Sequence, residues 1–183
     1  SRKTVKPGKP VFGFAGGQRA TQEIYDYVDN NDQIEMNPIS WVNDPYVVAQ
    51  LNDFISINSA IAVDLTGQVC SESIGLTTFS GPGGQADFIR GAKLAPNGQS
   101  YIMINSTGTK KDGTRFSKIN LTLAPGSAVT GSRADVQYIV TEYGVAEIRF
   151  RSLAERAKAL ISIAHPEFRD KLTYDAKKAG YFM

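Results

Sequence analysis

Residues 80–88 spell SGPGGQADF, a glycine-rich turn that leads into a helical pattern over 86–94. Three of the four positions from 81 to 84 are glycine. Glycines let the backbone approach a ligand closely, and the free N–H groups at the start of a helix attract negative charge. The loop therefore predicts a site for an anion or an oxyanion, while an ordinary tight turn explains it equally well.

The loop matches neither of the common nucleotide motifs. The dinucleotide pattern G-x-G-x-x-G fails at Ala86, and no Gly-Lys-Ser/Thr follows as a P-loop requires. Asp87 is expected to cap the helix and to have no further role. Arg90 has two open partners, a phosphate group or a neighbouring carboxylate.

Strand and helix patterns alternate upstream of the loop. A linker-like lead-in covers 1–10, and the apolar run 11–14 predicts a strand that glycines connect to a helix over 21–28. Residues 54–65 are rich in β-forming residues, and the turn that follows sends the chain back through 69–73 as a hairpin. Two paired strands thus lead to the glycine loop.

Capping signals mark the starts of further helices. Asp44 followed by Pro45 is typical of a helix start, and Ser152 with Glu155 forms a capping box. The expected helices cover 46–51, an amphipathic stretch from 153 to 164, and a polar stretch that follows Pro166 and ends near 178.

Strand patterns recur downstream of the loop, over 101–104, 116–121 and 136–140, with a turn at 110–113. Strands and helices alternate without internal repeats, which predicts an α/β domain with a mixed sheet flanked by helices, spanning 1–183 as a single domain.

Composition excludes several classes of protein. The net charge of +2 is too small to indicate a nucleic-acid or membrane surface, and no window approaches the roughly 18 apolar residues that cross a bilayer. The single cysteine, Cys70, is expected to be a buried, reduced thiol, which favours a cytoplasmic protein. The chain opens on Ser1 without a signal-type apolar core, so we expect a protein that is not exported and whose first residue is a cut edge.

The sequence favours neither a histidine-based catalytic site nor a metal site. His165 is the only histidine, and it lies at a helix terminus with no serine or cysteine motif, which favours a capping or packing role over that of a catalytic base. With one cysteine and one histidine, no metal site is predicted.

Several polar residues are candidates for chemistry without deciding it. Glu72, Glu142 and Glu147 are possible nucleophiles, but structural roles are favoured for each. The lysines of 110–113 fit a solvated hairpin tip or the phosphates of a nucleotide-like ligand. Asn58 either satisfies backbone groups or orients a substrate carbonyl.

Seven segments, taken together, carry a resemblance. They are 27–31 (YVDNN), 42–46 (VNDPY), 56–59 (SINS), 64–69 (DLTGQV), the glycine loop, 140–146 (VTEYGVA) and 164–169 (AHPEFR). In this order they resemble the C-terminal lobe of the acetyl-CoA hydrolase/transferase family, and within it 4-hydroxybutyrate and butyrate:acetate CoA-transferases. The resemblance extends over nearly the whole chain.

The resemblance implies one lobe of a two-lobed enzyme, with the active site in the cleft between two α/β CoA-transferase (NagB/RpiA-like) lobes. A glutamate in a Glu-Met segment N-terminal to the resembled region would attack a short-chain acyl-CoA (4-hydroxybutyryl-, butyryl- or acetyl-CoA), and then carry CoA as a thioester until a carboxylate such as acetate takes it. The implied partners are the N-terminal lobe and a further copy in a homo-oligomer. Coenzyme A is a substrate, and no tightly bound cofactor is implied.

The resemblance also assigns site residues. Gly83 and Gly84 would face the thioester, and the coenzyme A contacts would be Ala60, Ser80, Gly84 and Lys111, with Lys110 as the alternative lysine. Pro82 departs from the family, which more often has a branched apolar residue there. The alternatives are a hydrolase of the same family, a stand-alone CoA-binding module and, from the α/β architecture alone, a sugar-phosphate isomerase-like domain.

Overall fold

The structure, a computed structural model, describes residues 21–32 and 34–183. The predicted strand over 11–14 and the lead-in over 1–10 lie outside the described residues. The helices of the described range are α1 Gln22–Val28, α2 Ile39–Val42, α3 Pro45–Val48, α4 Gln85–Leu94, α5 Leu153–Ser162 and α6 Pro166–Lys178. Its strands are β1 Ile55–Ser59, β2 Ala62–Asp64, β3 Val69–Cys70, β4 Ser73–Ile74, β5 Thr77–Thr78, β6 Gln99–Met103, β7 Thr107–Thr109, β8 Arg115–Ser117, β9 Ile119–Asn120, β10 Tyr138–Thr141 and β11 Gly144–Glu147.

The main sheet has four strands in the order β1-β6-β10-β11. β1, β6 and β10 run parallel, and β11 pairs antiparallel with β10. Ile57, Tyr101 and Tyr138 stand side by side in the register, and the two tyrosine rings stack with centroids 4.9 Å apart. The predicted α/β architecture with a mixed sheet is confirmed.

A second sheet has the strand order β3-β2-β9. Two of its strands, β2 and β9, lie in segments that the sequence patterns predicted as parts of longer, continuous strands. The predicted β segment over 54–65 breaks after Ser59, because β1 pairs in the main sheet and β2 pairs with β3 and β9. The predicted strand over 116–121 breaks at Lys118 for the same reason, since β8 pairs with β7 and β9 with β2.

The predicted turn between β2 and β3 is confirmed, and its side chains explain it. The Asp64 carboxylate accepts hydrogen bonds from the Thr66 N–H at 2.9 Å and the Gln68 N–H at 3.0 Å. Gly67 has φ +95°, a conformation that glycine adopts without steric cost. Cys70, at the end of β3, is buried as expected.

Three helix starts follow the predicted capping signals, whereas the expected cap by Asp87 is wrong, because Gly84 is the N-cap of α4 and no side chain caps it. The Asp44 carboxylate caps α3 by accepting from the Tyr46 N–H, although α3 ends at Val48 and is shorter than the predicted helix. Ser152 and Glu155 form the capping box of α5. His165 caps α6 through its ring Nδ1, which confirms the capping role.

Two of the described helices pack on one face of the main sheet. Both α4 and α5 pack on the face that carries Ile102, Ile139 and Ala146, all of which are buried. Neighbouring positions point the other way, and there Ile57 is 63% exposed and Val145 is 58% exposed. We call this second surface the open face of the sheet.

Candidate functional site

The carboxyl ends of the three parallel strands meet at one edge of the main sheet. A cleft of about 380 Å³ lies at this edge, where β1, β6 and β10 end. Its lining consists of Ser59, Ala60, Met103, Ile104, Asn105, Lys118, Val140, Thr141 and Glu142. Ligands of open α/β sheets bind outside the carboxyl ends of the strands, so this edge is where a site is expected.

Glu142 supplies the negative charge of the cleft, directly after β10. The Ser106 N–H donates to one carboxylate oxygen at 2.9 Å, and the Ser106 hydroxyl donates to the other at 2.5 Å. Slight burial acts to raise the pKa of Glu142, but the hydrogen bonds from Ser106 outweigh it and hold that pKa below its ordinary value. Glu142 is therefore an anchored carboxylate that stays ionised near neutral pH.

Lys118 supplies the positive charge of the cleft lining. It lies in the break between β8 and β9, where its backbone N–H donates to Ser106 and its carbonyl accepts from Val63. Among the described residues it has no ion-pair partner within 4 Å. An unpaired ammonium beside a cleft can attract a carboxylate or a phosphate.

The glycine loop reaches the same edge because α4 runs back along the sheet. The helix ends at Leu94, shortly before β6 starts at Gln99, so its first turn lies near the carboxyl end of β6. Gly84 is the N-cap and contributes no side-chain cap, which leaves the first N–H groups of α4 without helical acceptors. Gly83 has φ +58°, a conformation in which glycine avoids strain.

Asn43 packs directly on the glycine loop. A Cβ atom added to Gly84 would lie 2.5 Å from Asn43 Nδ2 and 3.0 Å from the Phe88 ring. Asn43 is held there at the end of α2, where its backbone N–H bonds to Ile39 and Trp41 carbonyls. The bare backbone of Gly84 and the Asn43 amide therefore face each other across a space too small for a side chain.

The structure unites only part of the predicted site. Ala60 lines the cleft, whereas Gly83 and Gly84 are not among its lining residues, and Gly84 packs against Asn43 and Phe88. Ser80 is exposed, and its N–H lies 3.4 Å from the Glu72 carbonyl. Lys111 is exposed at the tip of the β7–β8 hairpin and does not line the cleft.

The other candidate groups have structural partners. Glu72 accepts from the Thr130 hydroxyl at 3.1 Å, and Glu147 lies 3.5 Å from Arg151. Arg90 pairs with the Asp135 carboxylate at 3.3 Å, so of its two open partners it takes the carboxylate. In addition, the Asn58 amide donates to the Ser56 hydroxyl at 2.9 Å.

Two site residues, Asn43 and Lys118, were missed by the sequence reasoning. Asn43 directly precedes the N-cap Asp44, and it entered the sequence analysis only as part of the resembling segment 42–46. Lys118 interrupts the apolar alternation of a predicted strand, and that interruption was the available signal. Within the described residues, no cluster of three or more His, Cys, Asp or Glu side chains could hold a metal ion.

Residues 20–176 match the acetyl-CoA hydrolase/transferase C-terminal domain. The chain belongs to the acetyl-CoA hydrolase/transferase family. It is 49% identical over 177 residues to the 4-hydroxybutyrate coenzyme A transferase of Clostridium kluyveri, covering 97% of this chain and 40% of that protein. It is 45% identical over 179 residues to the butyryl-CoA:acetate CoA-transferase of Anaerostipes caccae, covering 98% of this chain and 40% of that protein.

Solved structures of the family agree with the fold. RipA from Yersinia pestis is 41% identical and superposes with a TM-score of 0.86, covering 99% of this chain and 39% of that one. The 4-hydroxybutyrate CoA-transferase of Porphyromonas gingivalis is 38% identical with a TM-score of 0.75, covering 97% and 39%. The resemblance seen in the sequence and the CoA-transferase fold that it implied are confirmed.

The chain spans about 40% of the length of the relatives it matches. In those relatives the region corresponds to a C-terminal domain of the acetyl-CoA hydrolase/transferase family, as predicted. None of the helices in the described part of the chain combines the length and apolar character that crossing a bilayer requires.

Proposed function

We propose that this chain binds the thioester end of an acyl-CoA and forms one wall of the active-site cleft of a carboxylate CoA-transferase. The observation that carries the proposal is the charged cleft at the carboxyl ends of the parallel strands, the edge toward which the connection from α4 to β6 also directs the glycine loop. The names of two similar proteins support the proposal. One is a 4-hydroxybutyrate coenzyme A transferase, and the other is a butyryl-CoA:acetate CoA-transferase.

The reaction divides one exchange into smaller steps. A glutamate of the N-terminal lobe attacks the thioester carbonyl, the C–S bond breaks, CoA leaves as a thiolate and a mixed anhydride remains. The thiolate then attacks the glutamyl carbonyl of the anhydride, which releases the first carboxylate and leaves CoA on the glutamate as a thioester. The second carboxylate takes CoA from the glutamate by the same steps in reverse order.

Each attack places negative charge on a carbonyl oxygen, and the glycine loop supplies donors for it. The first N–H groups of α4 directly follow Gly84 in the chain, and the Asn43 amide packs on the bare Gly84 backbone. Donors that are fixed in advance and aimed at a developing oxyanion contribute roughly 3 to 4 kcal/mol to the transition state. Gly83 and Gly84 are therefore assigned to the thioester end of the ligand.

The remaining contacts are assigned to two parts of the substrates, the coenzyme A moiety and the carboxylate. Ala60 in the cleft and Ser80 beside the loop are assigned to coenzyme A, and Lys111, or Lys110 next to it, to the phosphate groups. Lys118 is assigned to the carboxylate that exchanges with the acyl group, because it lines the cleft and has no ion-pair partner among the described residues.

The N-terminal lobe is the assigned partner, and the open face of the sheet supports it. Parallel sheets are almost always covered on both faces, whereas here Ile57 and Val145 lie exposed. We also assign the whole protein to the cytoplasm and to a homo-oligomer. The reduced, buried Cys70 is compatible with that compartment.

The test is a transfer assay on the full-length protein. Acetyl-CoA is supplied with and without butyrate, and both butyryl-CoA and free CoA are measured. We expect butyryl-CoA to form at the rate at which acetyl-CoA disappears, with little loss of thioester when butyrate is omitted. Equal rates of thioester loss with and without butyrate would identify a hydrolase of the same family instead.

A further inference from the structure

Gln85 has a feature that the transfer reaction, as assigned so far, does not use. It is the first residue of α4 and is only 6% exposed, yet its side-chain Nε2 is fully buried and has no hydrogen-bond partner among the described residues. Buried amide groups nearly always have partners, because an unpartnered one loses its hydrogen bonds to water without replacing them. An exception of this kind needs a physical cause.

The position of Gln85 on the helix shows where its amide points. Gln85, Ile89 and Ala92 are spaced by four and three residues and are all buried, so they share the face of α4 that packs on the sheet. Ile89 belongs to the apolar core, and a third apolar residue would suit the Gln85 position equally well. Side chains on a helix lean toward its N-terminus. We therefore expect the Gln85 amide to lie at the inner side of the first turn of α4, toward the glycine loop that precedes it.

The start of α4 thus collects donors, and its N-cap Gly84 offers them no side-chain acceptor, while Asp87 is the acidic residue of the first turn. The first N–H groups of the helix are free, Gly84 provides no side-chain cap, and the Asn43 amide lies against the loop. The Gln85 Nε2 adds two further N–H groups to the same region. Such a concentration of donors fits an oxygen atom that carries negative charge, or a carbonyl oxygen that acquires it.

We propose that the Gln85 amide is a ligand-binding donor of the glycine loop, which hydrogen-bonds the acyl carbonyl or carboxylate oxygen of the substrate. This inference rests on the proposed function, because the acyl-CoA supplies the oxygen. The unpartnered amide is a group held ready for the ligand, and it gains its acceptor only when the substrate is bound.

Gln85→Met in the full-length protein distinguishes a glutamine that binds the ligand from one that is merely buried. Only in the first case should the substitution lower kcat/KM. Methionine keeps the length and most of the volume and removes the unpartnered group. We expect the melting temperature to stay the same or rise, while kcat/KM for acetyl-CoA falls about tenfold or more. A variant that melts higher and keeps kcat/KM within about twofold of wild type overturns the assignment. Gln50→Met, on an exposed glutamine, is the matched control and should change neither value.

Two further measurements keep the test decisive. Gln85→Glu has the shape of glutamine but only accepts hydrogen bonds when ionised, so we expect a larger loss of kcat/KM than in the methionine variant. In wild-type protein labelled with ¹⁵N-glutamine, the Gln85 side-chain signal, assigned by its absence from the methionine variant, should shift when coenzyme A and acetate are added together. No shift under saturating ligand overturns the assignment even if a variant fails to fold.

The outcomes separate this inference from the proposed function. If wild type transfers CoA and Gln85→Met transfers it equally well, the Gln85 assignment is wrong and the proposed function stands. If wild type neither binds coenzyme A by calorimetry nor transfers it to butyrate, the proposed function is wrong, and the Gln85 assignment fails with it.

Discussion

At Gly84, the space that one methyl group would need is occupied by the Asn43 amide. The φ of Gly84 is −92°, a negative value that alanine can adopt, so Gly84→Ala strains mainly the packing. The new Cβ would lie 2.5 Å from Asn43 Nδ2, and the flexible end of Asn43 must move away. We expect kcat/KM for acyl-CoA to fall about 100-fold or more, since displacing one oxyanion donor has effects of that order.

Gly81→Ala is the matched control for this change. A Cβ atom added to Gly81 would meet no heavy atom within 4 Å. Gly81 lies only three residues before Gly84 in the same loop. Its kcat/KM should stay within about twofold of wild type. Both variants should melt within a few degrees of wild type, and equal activity losses in the two variants would contradict the role assigned to Asn43 and Gly84.

Ser106 controls the charge of Glu142. Removing its hydroxyl by Ser106→Ala leaves the carboxylate the backbone N–H groups of Ser106 and of Glu142 itself as donors, so the pKa of Glu142 should rise toward its ordinary value of 4.5. Because Glu142 is exposed and screened by solvent, we expect a loss of about 1 kcal/mol of folding free energy at pH 7. A side-chain NMR titration of Glu142 and urea unfolding measure the two effects.

The pH dependence of this loss has a definite sign. The folded pKa of Glu142 is depressed, so its contribution to stability is fully present above the unfolded value and is lost as the pH falls through the folded pKa. The stability difference between wild type and Ser106→Ala should therefore be largest above about pH 5 and should shrink in acid. Ser162→Ala removes an exposed hydroxyl that bonds only to a carbonyl, and its effect should not vary with pH. A difference for Ser106→Ala that grew on acidification would contradict the assigned hydrogen bonds.

At the scale of elements, Gly91 sets the distance between α3 and α4. Glycine inside a helix is about 1 kcal/mol less favourable than alanine, so Gly91→Ala would normally stabilise α4. Here the added Cβ would lie 2.4 Å from Val48 Cγ1 and 2.6 Å from Val48 Cβ, and overpacking of this kind costs about 1 to 3 kcal/mol. We expect a net destabilisation of about 1 kcal/mol, measured by urea unfolding.

A double-mutant cycle with Val48→Ala tests the cause. If the clash with Val48 is responsible, Gly91→Ala should be less harmful in the Val48→Ala background, with a coupling free energy of about 0.5 kcal/mol or more. Additive effects, or a stabilised Gly91→Ala single variant, would show that α3 moves aside without cost.

Local signals predicted the helices better than the strands. The Asp44–Pro45 start, the Ser152–Glu155 capping box and the cap before Pro166 depend on neighbouring residues alone, and all three are confirmed. Strand partners are set by contacts distant in sequence, which explains why the apolar run 54–65 gave no sign of its division between two sheets. It also explains why β11 was not predicted, since Gly144–Glu147 becomes a strand only by pairing with β10.

The candidate site shows the same division between local and distant information. The glycine loop was found from its own composition, and its place at the sheet edge follows from the α4–β6 connection. The pairing of Gly84 with Asn43, the anchoring of Glu142 by Ser106 and the unpartnered Gln85 amide each require contacts that only the folded chain creates. No spacing in the sequence contains them.

At the scale of the whole molecule, the arrangement of charge indicates which glutamate carries CoA. Glu142 is the one carboxylate in the cleft lining, but both of its oxygens accept hydrogen bonds from Ser106 and its pKa is depressed, which makes it a weak nucleophile. In the proposed function, the donors of the glycine loop serve a carbonyl that a glutamate from another part of the protein attacks. We therefore expect the attacking glutamate to lie in the N-terminal lobe.

Adduct mapping tests this assignment directly. The full-length protein is incubated with acetyl-CoA, the glutamyl-CoA thioester is reduced with borohydride, and peptides are analysed by mass spectrometry. The modified glutamate should lie outside residues 1–183, and Glu142→Gln should still form the adduct because Ser106 can bond to the amide oxygen. A modified peptide that contains Glu142, together with loss of the adduct in Glu142→Gln, would instead place the nucleophile in this lobe. The hydrogen bonds from Ser106 would then activate that carboxylate by orienting it, and the glycine loop would face a glutamate of its own chain.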